Sequence, residues 1–393
     1  MSVPVSATAP GGTVEDAIQA ALATVDDPEI RRPITELGMV KGFTVAGGGS
    51  VRVELLLTVA GCPLRDKLTT DITAALTAIP GIVAVDIDFG VMTAEQRQAL
   101  QASLRGGGHA AGGAEPVIPF AQPGSRTRVY AVASGKGGVG KSSVTVNLAA
   151  ALAKRGLSVG VIDADIYGHS VPRMLGTDAR PTRVEEMIMP PQSHGVKLIS
   201  IGMFTSGNAA VVWRGPMLHR ALQQFLADVY WGELDVLLLD LPPGTGDVAI
   251  SLAQLLPNAE ILVVTTPQTA AAEVAERAGA IALQTHQRLV GVVENMSWLE
   301  LPDGSRMEVL GSGGGAVVAE SLTRVVGASV PLLGQIPLDT RVREAGDSGT
   351  PIVLADPTAP AAVALEAVAG RLAVRRESLV GKPLGLTVTA RRG

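Results

Sequence analysis

The sequence predicts an α/β fold, a mostly parallel sheet covered by helices on both faces, preceded by a small α+β domain. Three observations predict it. Beyond residue 127, short Val/Leu/Ile runs alternate with helical patterns, which implies a parallel sheet with ligands at the C-terminal strand ends. Apolar residues fill 47% of the 393 positions but aromatics only 3%, so Ala, Val, Leu and Ile must form the interior. Before residue 104 a shorter stretch carries its own strand and helix patterns, set apart by a Gly/Ala/Pro-rich segment.

In chain order, residues 1–11 are a short flexible leader and 12–103 the small α+β domain. Val14 to Val25 has helical spacing through Ala17, Ile18, Ala21 and Leu22. Leu37 to Val45 and Val51 to Val59 read as strands around the turn Gly47-Gly48-Gly49. Leu64 to Ile79 reads as a helix, and Ile82 to Phe89 as a further strand. Residues 104–126, with Gly106-Gly107-Gly108 and Ala111-Gly112-Gly113-Ala114, read as a flexible linker. Residues 127–375 form the large domain and 376–393 a tail.

The large domain opens on its most informative stretch. Ser134 to Ser143 reads Ser-Gly-Lys-Gly-Gly-Val-Gly-Lys-Ser-Ser and fits the phosphate-loop pattern G-x-x-x-x-G-K-[ST] from Gly135 to Ser142. Gly135, Gly137, Gly138 and Gly140, with Lys136 and Val139 between them, let successive backbone N–H groups turn onto an anion. Lys141 supplies charge to the β/γ-phosphates of a nucleoside triphosphate, and Ser142 can ligate Mg²⁺. Val129–Ala133 reads as the strand entering the loop and Ser143 to Lys154 as the helix leaving it, the order that puts phosphate at a helix N-terminus.

Further strands are expected at Ser158–Ile162, Lys197–Ile201, Val236–Leu239, Ile261–Val264, Leu289–Val293 and Leu332–Ile336. Helical patterns lie at Met217–Tyr230, Val248–Leu256 and Ala270–Thr285. Chemical groups collect where these strands end. An Asp after a Val/Leu run suits the acidic Mg²⁺ position of nucleotide hydrolases, so Asp240 is the first candidate and Asp163 the second. Asp165 is placed to orient or activate the attacking water. Turn formation and helix capping are the alternative roles for such residues. Asn295 follows a strand, where its amide either reads a purine or closes a turn. His169, His194 and His219 lack metal-ligand spacing, and Gly311-Ser312-Gly313-Gly314-Gly315 reads as a flexible segment because no Lys follows it.

The formal charge of −5 gives no global pull toward nucleic acid. No apolar run approaches the roughly 18 residues that span a bilayer, and Met1-Ser2-Val3-Pro4 lacks the start of a secretory signal. A cytoplasmic location, with neither membrane nor nucleic acid as partner, is expected. The single cysteine, Cys62, excludes an intramolecular disulfide and any multi-cysteine metal site within one chain.

With these residues assembled, the chain resembles the bacterial Mrp/ApbC family of iron–sulfur cluster carrier ATPases, in the deviant-Walker-A group with MinD, ParA and nitrogenase iron proteins. The resemblance is carried by Gly135–Ser143, Asp163–Ser170, Trp213-Arg214-Gly215-Pro216-Met217, Trp231-Gly232-Glu233-Leu234-Asp235, Asp240–Asp247 and Glu294-Asn295-Met296-Ser297. The first domain resembles SufT-like iron–sulfur maturation modules through Asp27-Pro28-Glu29-Ile30, Glu36-Leu37-Gly38-Met39 and Thr58 through Cys62-Pro63. The resemblance implies a nucleotide-bridged homodimer that delivers clusters to apo iron–sulfur proteins. It implies that Lys136 reaches the partner's nucleotide and that Lys141, Ser142 and Ser143 bind phosphate and Mg²⁺. It further implies that Asp163 and Asp240 support the metal, Asp165 positions water and Asn295 contacts adenine.

One departure stands out. Family members that carry a cluster have a C-x-x-C pair after Glu-Asn-Met, whereas this chain has Ser297-Trp298-Leu299-Glu300-Leu301-Pro302-Asp303-Gly304. A cluster needs about four soft ligands. Cys62 is the candidate cluster ligand, ahead of a helix that would favour its thiolate, or else an inert half-buried side chain. Two other functions therefore stay open: a MinD/ParA-like positioning ATPase, and a nucleotide-switched scaffold without cluster binding. Against membrane positioning, Leu379 to Gly385 is broken by Gly and Pro and cannot form an amphipathic helix.

Overall fold

The computed structural model describes residues 14–28, 30, 32–46, 48–58, 65–104, 117–165, 168–204, 215–244, 247–268, 278–280 and 282–373. The leader, Cys62, residues 105–116 of the linker, Trp213, Arg214, Thr245, Gly246, most of Ala270–Thr285 and the tail lie outside them. The chain forms two compact units, Met1–Glu115 with Thr182–Met189, and Pro116–Pro181 with Pro190–Gly393.

In the smaller unit, helix α1 is Val14–Leu22, strands β1 and β2 are Val40–Ala46 and Ser50–Leu57, helix α2 is Arg65–Thr77, strand β3 is Ala84–Val91 and helix α3 is Ala94–Leu104. β2 lies centrally, antiparallel to β1 and parallel to β3. Its alternate residues Val51, Val53 and Leu55 are fully buried, the period of a strand with one face on a core. Ile18 and Leu22 of α1 and Leu68, Ile72 and Leu76 of α2 are also buried, at the four-residue spacing of one helix face. The first strand starts at Val40 rather than Leu37, because Gly38 takes φ +65° in the preceding turn.

Helix α3 has no counterpart in the sequence reading, although its start is written there. The Thr93 backbone N–H donates to Gln96 Oε1 at 2.9 Å, and the Gln96 N–H donates to Thr93 Oγ1 at 3.2 Å. That is a reciprocal capping box. The β-hairpin of β6 (Thr182–Val184) and β7 (Met187–Met189) completes this unit.

The larger unit begins earlier than expected. Ile118 and Phe120 are buried and Pro119–Ala121 forms a 3₁₀ turn, so the apolar end of the anticipated flexible linker is packed structure. Its sheet uses β4 (Arg128–Ala133), β5 (Val159–Asp163), β8 (Gln192–Ser193), β9 (Val196–Ser200), β10 (Val236–Asp240), β11 (Glu260–Thr265), β12 (Arg288–Glu300), β13 (Arg306–Met307) and β14 (Leu332–Leu338). The order is β13-β12-β11-β4-β10-β5-β9-β8, with β14 also paired to β12. Only β8 and β13, at the two ends, pair antiparallel. β5, β9 and β10 are buried along their whole length, as parallel strands covered on both faces must be.

Helix α4, Lys141–Lys154, is packed so deeply that Val144, Leu148, Ala151 and Leu152 are at most 2% exposed. Tyr130, Val161 and Leu238 of the sheet and Leu365 and Leu372 of helix Pro360–Leu372 belong to the same core. Two expectations are corrected. β12 continues through Glu294-Asn295-Met296-Ser297, so Asn295 lies within a strand rather than after one. The glycine run at 311–315 is not a loose segment but the start of helix Gly314–Val326. There a Cβ on Gly314 would meet the Thr266 and Pro267 carbonyls at 2.6 Å, and the Gly315 N–H donates to buried Glu294 at 2.6 Å. Glycine serves close approach here.

Candidate functional site

Parallel pairing sets the site. Asp240 of β10 is in register with Asp163 of β5 on one side and Val132 of β4 on the other. The two carboxylates therefore end adjacent strands, beside the loop that leaves β4. That loop enters α4 through Gly138 at φ +78° and Gly140 at φ +79°. Gly140 is the N-cap of α4 and no side chain caps it, so the first backbone N–H groups are left for an anion.

Lys141 Nζ lies 2.7 Å from Asp240 Oδ1, with the two side chains 6% and 1% exposed. Asp240 Oδ2 accepts from Ser142 Oγ at 2.5 Å, and its Oδ1 accepts from Thr145 Oγ1 at 2.9 Å. Asp163 Oδ2 accepts from Ser200 Oγ at 3.0 Å, and its Oδ1 accepts from the Asp165 N–H at 3.2 Å. Burial, and then the neighbouring Asp240 charge, push the Asp163 carboxyl up from an ordinary 3.8 to about 7. Two carboxylates and one lysine leave this oxygen-lined corner short of positive charge. Hard oxygen donors of this kind fit Mg²⁺, which takes oxygen ligands.

The other anticipated residues surround this corner. Lys136 is hydrogen-bonded through Nζ to Gln268 of its own chain, and its carbonyl accepts from Ser134 Oγ at 3.0 Å. Asp165 accepts from the Gly168 N–H at 3.2 Å. Asn295 Nδ2 donates to the Val139 carbonyl at 2.9 Å, so it braces the loop as well as facing the space beyond it. Ser143 and Asn295 line a cavity of about 290 Å³ with Gly140, Pro337, Leu338 and Asp339.

A family model described as an NUBPL iron-transfer P-loop NTPase matches residues 125–373, more than half of the chain. The chain belongs to that family. A second model, of an iron–sulfur cluster assembly protein, matches residues 15–88. The iron-sulfur cluster carrier protein of Mycobacterium tuberculosis (strain H37Rv) is 65% identical over 380 residues, covering 97% of this chain and 98% of that protein. The protein of the same description from Deinococcus radiodurans is 45% identical, covering 92% and 95%. A solved nucleotide-binding protein from Archaeoglobus fulgidus in complex with ADP shares 36% identity, covering 56% of this chain and 86% of that one, with a TM-score of 0.49.

For an iron-transfer P-loop NTPase, the cargo ligands are the unexpected part. Among the described residues no group of three or more His, Cys, Asp or Glu could hold a metal ion, and Cys62 lies outside them. In the stretch that replaces the cysteine pair, Leu299 and Glu300 of β12 pair with Met307 and Arg306 of β13, and the Arg306 guanidinium lies 4.0 Å over the Trp298 ring. No helix among the described residues is long and apolar enough to cross a membrane.

Sequence reasoning missed Thr145, Ser200 and the Pro337–Asp339 wall. Thr145 was detectable four residues after Lys141, on the same helix face. Ser200 could be found only from the register that sets it opposite Asp163. Gly140 yields a direct test: a Cβ there would collide with the Asn295 amide, in a backbone conformation that already disfavours one. Gly140→Ala is expected to weaken nucleotide binding at least about tenfold, measured by titration with a fluorescent ATP analogue. Unchanged binding would show that the loop does not need this close approach.

Proposed function

We propose that this NTPase is an ATP-hydrolysing iron–sulfur cluster carrier that works in the cytoplasm as a nucleotide-bridged homodimer and hands clusters to apoproteins. The observation that carries the proposal is the buried Lys141–Asp240–Ser142 constellation at the head of an uncapped helix. Relatives that match nearly the whole chain and are described as cluster carriers support the cargo. Residues 12–103 act as the maturation-type domain and 127–375, outside the hairpin Thr182–Met189 and extended at its start by the packed Ile118–Ala121, as the motor.

In this reading the backbone N–H groups from Gly135 to Ser143 cradle the ATP phosphates, and Lys141 leaves Asp240 for the β/γ-phosphates. Ser142, Asp240 and Asp163 are the side chains that would hold Mg²⁺. When bound, the ion neutralises charge that develops on the transferring phosphoryl group. Asp165 orients the attacking water, and Asn295 meets adenine at the cavity bounded by Pro337 and Leu338. Lys136 exchanges Gln268 for the partner's nucleotide, acting in trans as an arginine finger does.

Lys136→Ala is accordingly expected to slow hydrolysis on the order of 10²-fold or more while leaving ATP binding largely intact. Normal turnover in that variant would remove the in-trans role. The carrier function is tested by anaerobic reconstitution with iron and sulfide, followed by absorption spectroscopy and transfer to an apo-acceptor. Wild type is expected to transfer a cluster and Cys62→Ser to transfer less. No iron bound and none transferred by wild type would instead favour a nucleotide-switched scaffold. The specific observation behind that second reading is the cysteine-free β12–β13 hairpin.

A further inference from the structure

The β6–β7 hairpin is part of the smaller unit, although the chain on both sides of it, up to Pro181 and from Pro190, belongs to the larger one. Its ladder is short, running only from Thr182 opposite Met189 to Val184 opposite Met187. Even so, Val184, Met187, Ile188 and Met189 are between 2% and 5% exposed. Three-residue strands cannot cover their own side chains, so other parts of the protein must do so. None of these four residues belongs to the core that packs around α4.

The hairpin tip carries a specific contact. Glu185 sits there at φ +52°, a conformation that disfavours any residue with a Cβ and that glycine or asparagine would adopt more easily. Its Oε1 accepts from Arg97 Nε of α3 at 2.7 Å, with the two side chains 26% and 28% exposed. Arg97 Nη1 donates at the same time to the Met92 carbonyl at 2.8 Å, so the guanidinium is aimed by its own segment. A strained acidic tip meeting a pre-oriented arginine is a recognition pair rather than a chance surface contact.

The hairpin is also tied covalently to the nucleotide site. It leaves the larger unit along the segment that begins with Asp163 and Asp165, and returns to it just before β9, whose Ser200 holds Asp163. We propose that the hairpin Thr182–Met189 is a docking tongue. The smaller unit captures it through the Glu185–Arg97 pair, and through it the occupancy of the phosphate loop is communicated to the smaller unit. The docking stands independently of the proposed function; the communication rests on nucleotide binding at Gly135–Ser143.

A protease site inserted between Gly112 and Gly113 of the full chain tests the docking. After cleavage the two fragments of the wild type are expected to co-elute in size exclusion. Arg97→Glu should weaken their association about five- to tenfold, and the double variant Arg97→Glu/Glu185→Arg should restore it. Separation of the cut wild-type fragments, an Arg97→Glu variant as tight as wild type, or absence of rescue would overturn the docking. The rescue arm keeps the test decisive even where the single variant perturbs folding. Hydrogen exchange of residues 182–189 with and without Mg-ATP tests the communication. A change in protection is expected in wild type and not in Lys141→Ala. Unchanged exchange while ATP binding is measured in the same sample would overturn the communication alone. Failure of wild type to bind ATP would instead overturn the nucleotide reading and, with it, the communication.

Discussion

Lys141→Ala is expected to reduce ATP hydrolysis on the order of 10²-fold or more and to destabilise the nucleotide-free protein as well. The first effect follows from losing the charge that meets the β/γ-phosphates. The second follows from Asp240, which is 1% exposed and would keep its hydroxyl donors but lose the cation that pairs with it among the described residues. Removing one member of a buried ion pair costs about 3–5 kcal/mol when the remaining charge cannot escape. Here the neighbouring Asp163, whose carboxyl is raised to about 7, can hold a proton and spare the corner a second negative charge, so the loss should be smaller at pH 6 and larger at pH 8. Urea unfolding at the two pH values, beside a turnover assay, checks both parts. A variant that keeps hydrolysis, or one whose stability deficit does not grow with pH, would count against this account of the pair.

The second large effect concerns Asp163. Its carboxyl is raised to about 7 by burial and by Asp240, so the folded nucleotide-free protein holds a proton there that the unfolded chain releases near 3.8. A raised folded value means that the contribution to stability is fully present below the unfolded value and is lost as pH climbs through the folded one. Between pH 5 and pH 8 the loss amounts to about 3 kcal/mol, at 1.36 kcal/mol for each unit of pH over which the difference in proton uptake persists. Asp163→Asn is expected to flatten this slope and to be the more stable protein at pH 8. The same substitution should abolish Mg²⁺-dependent hydrolysis. Parallel pH slopes for the two proteins, measured without nucleotide, would show that Asp163 is ionised throughout. Stability gained at the expense of turnover is the pattern expected of a residue kept for its chemistry.

The phosphate loop was legible in the sequence because its spacing is a local chemical rule: glycines at fixed intervals, then Lys141 and Ser142. Asp163 and Asp240 were legible because parallel strands deliver their terminal residues to one edge. What could not be read was how those residues are partnered before nucleotide arrives. That Lys141 rests on Asp240, and Lys136 on Gln268, depends on side-chain positions brought together across more than ninety residues of chain. The hairpin β6–β7 was missed for a related reason. Three-residue strands carry almost no periodic signal, and no sequence pattern could assign them to the smaller unit. Helix α3 is different: Thr93 and Gln96 spelled its cap, and the signal was overlooked. The glycine run at 311–315 was misread because glycine serves both loose chain and close packing, and only Glu294 and the Thr266 carbonyl reveal which applies.

β12 touches both the phosphate loop and the edge strand β13. It extends for 13 residues, about 40 Å of extended chain. Glu294 anchors it to the head of a helix, Asn295 grips the Val139 carbonyl, and four residues after Asn295 it begins to pair with β13. Its one non-glycine residue at positive φ is Met296, at φ +58°, and the pairing with β14 is irregular between Val292 and Val293 and again between Asn295 and Leu299. The strand is therefore a long arm whose pairing with β14 is interrupted at two places. A shift of the Val139 carbonyl on phosphate binding would reach β12 at Asn295, on the stretch where that pairing is already broken.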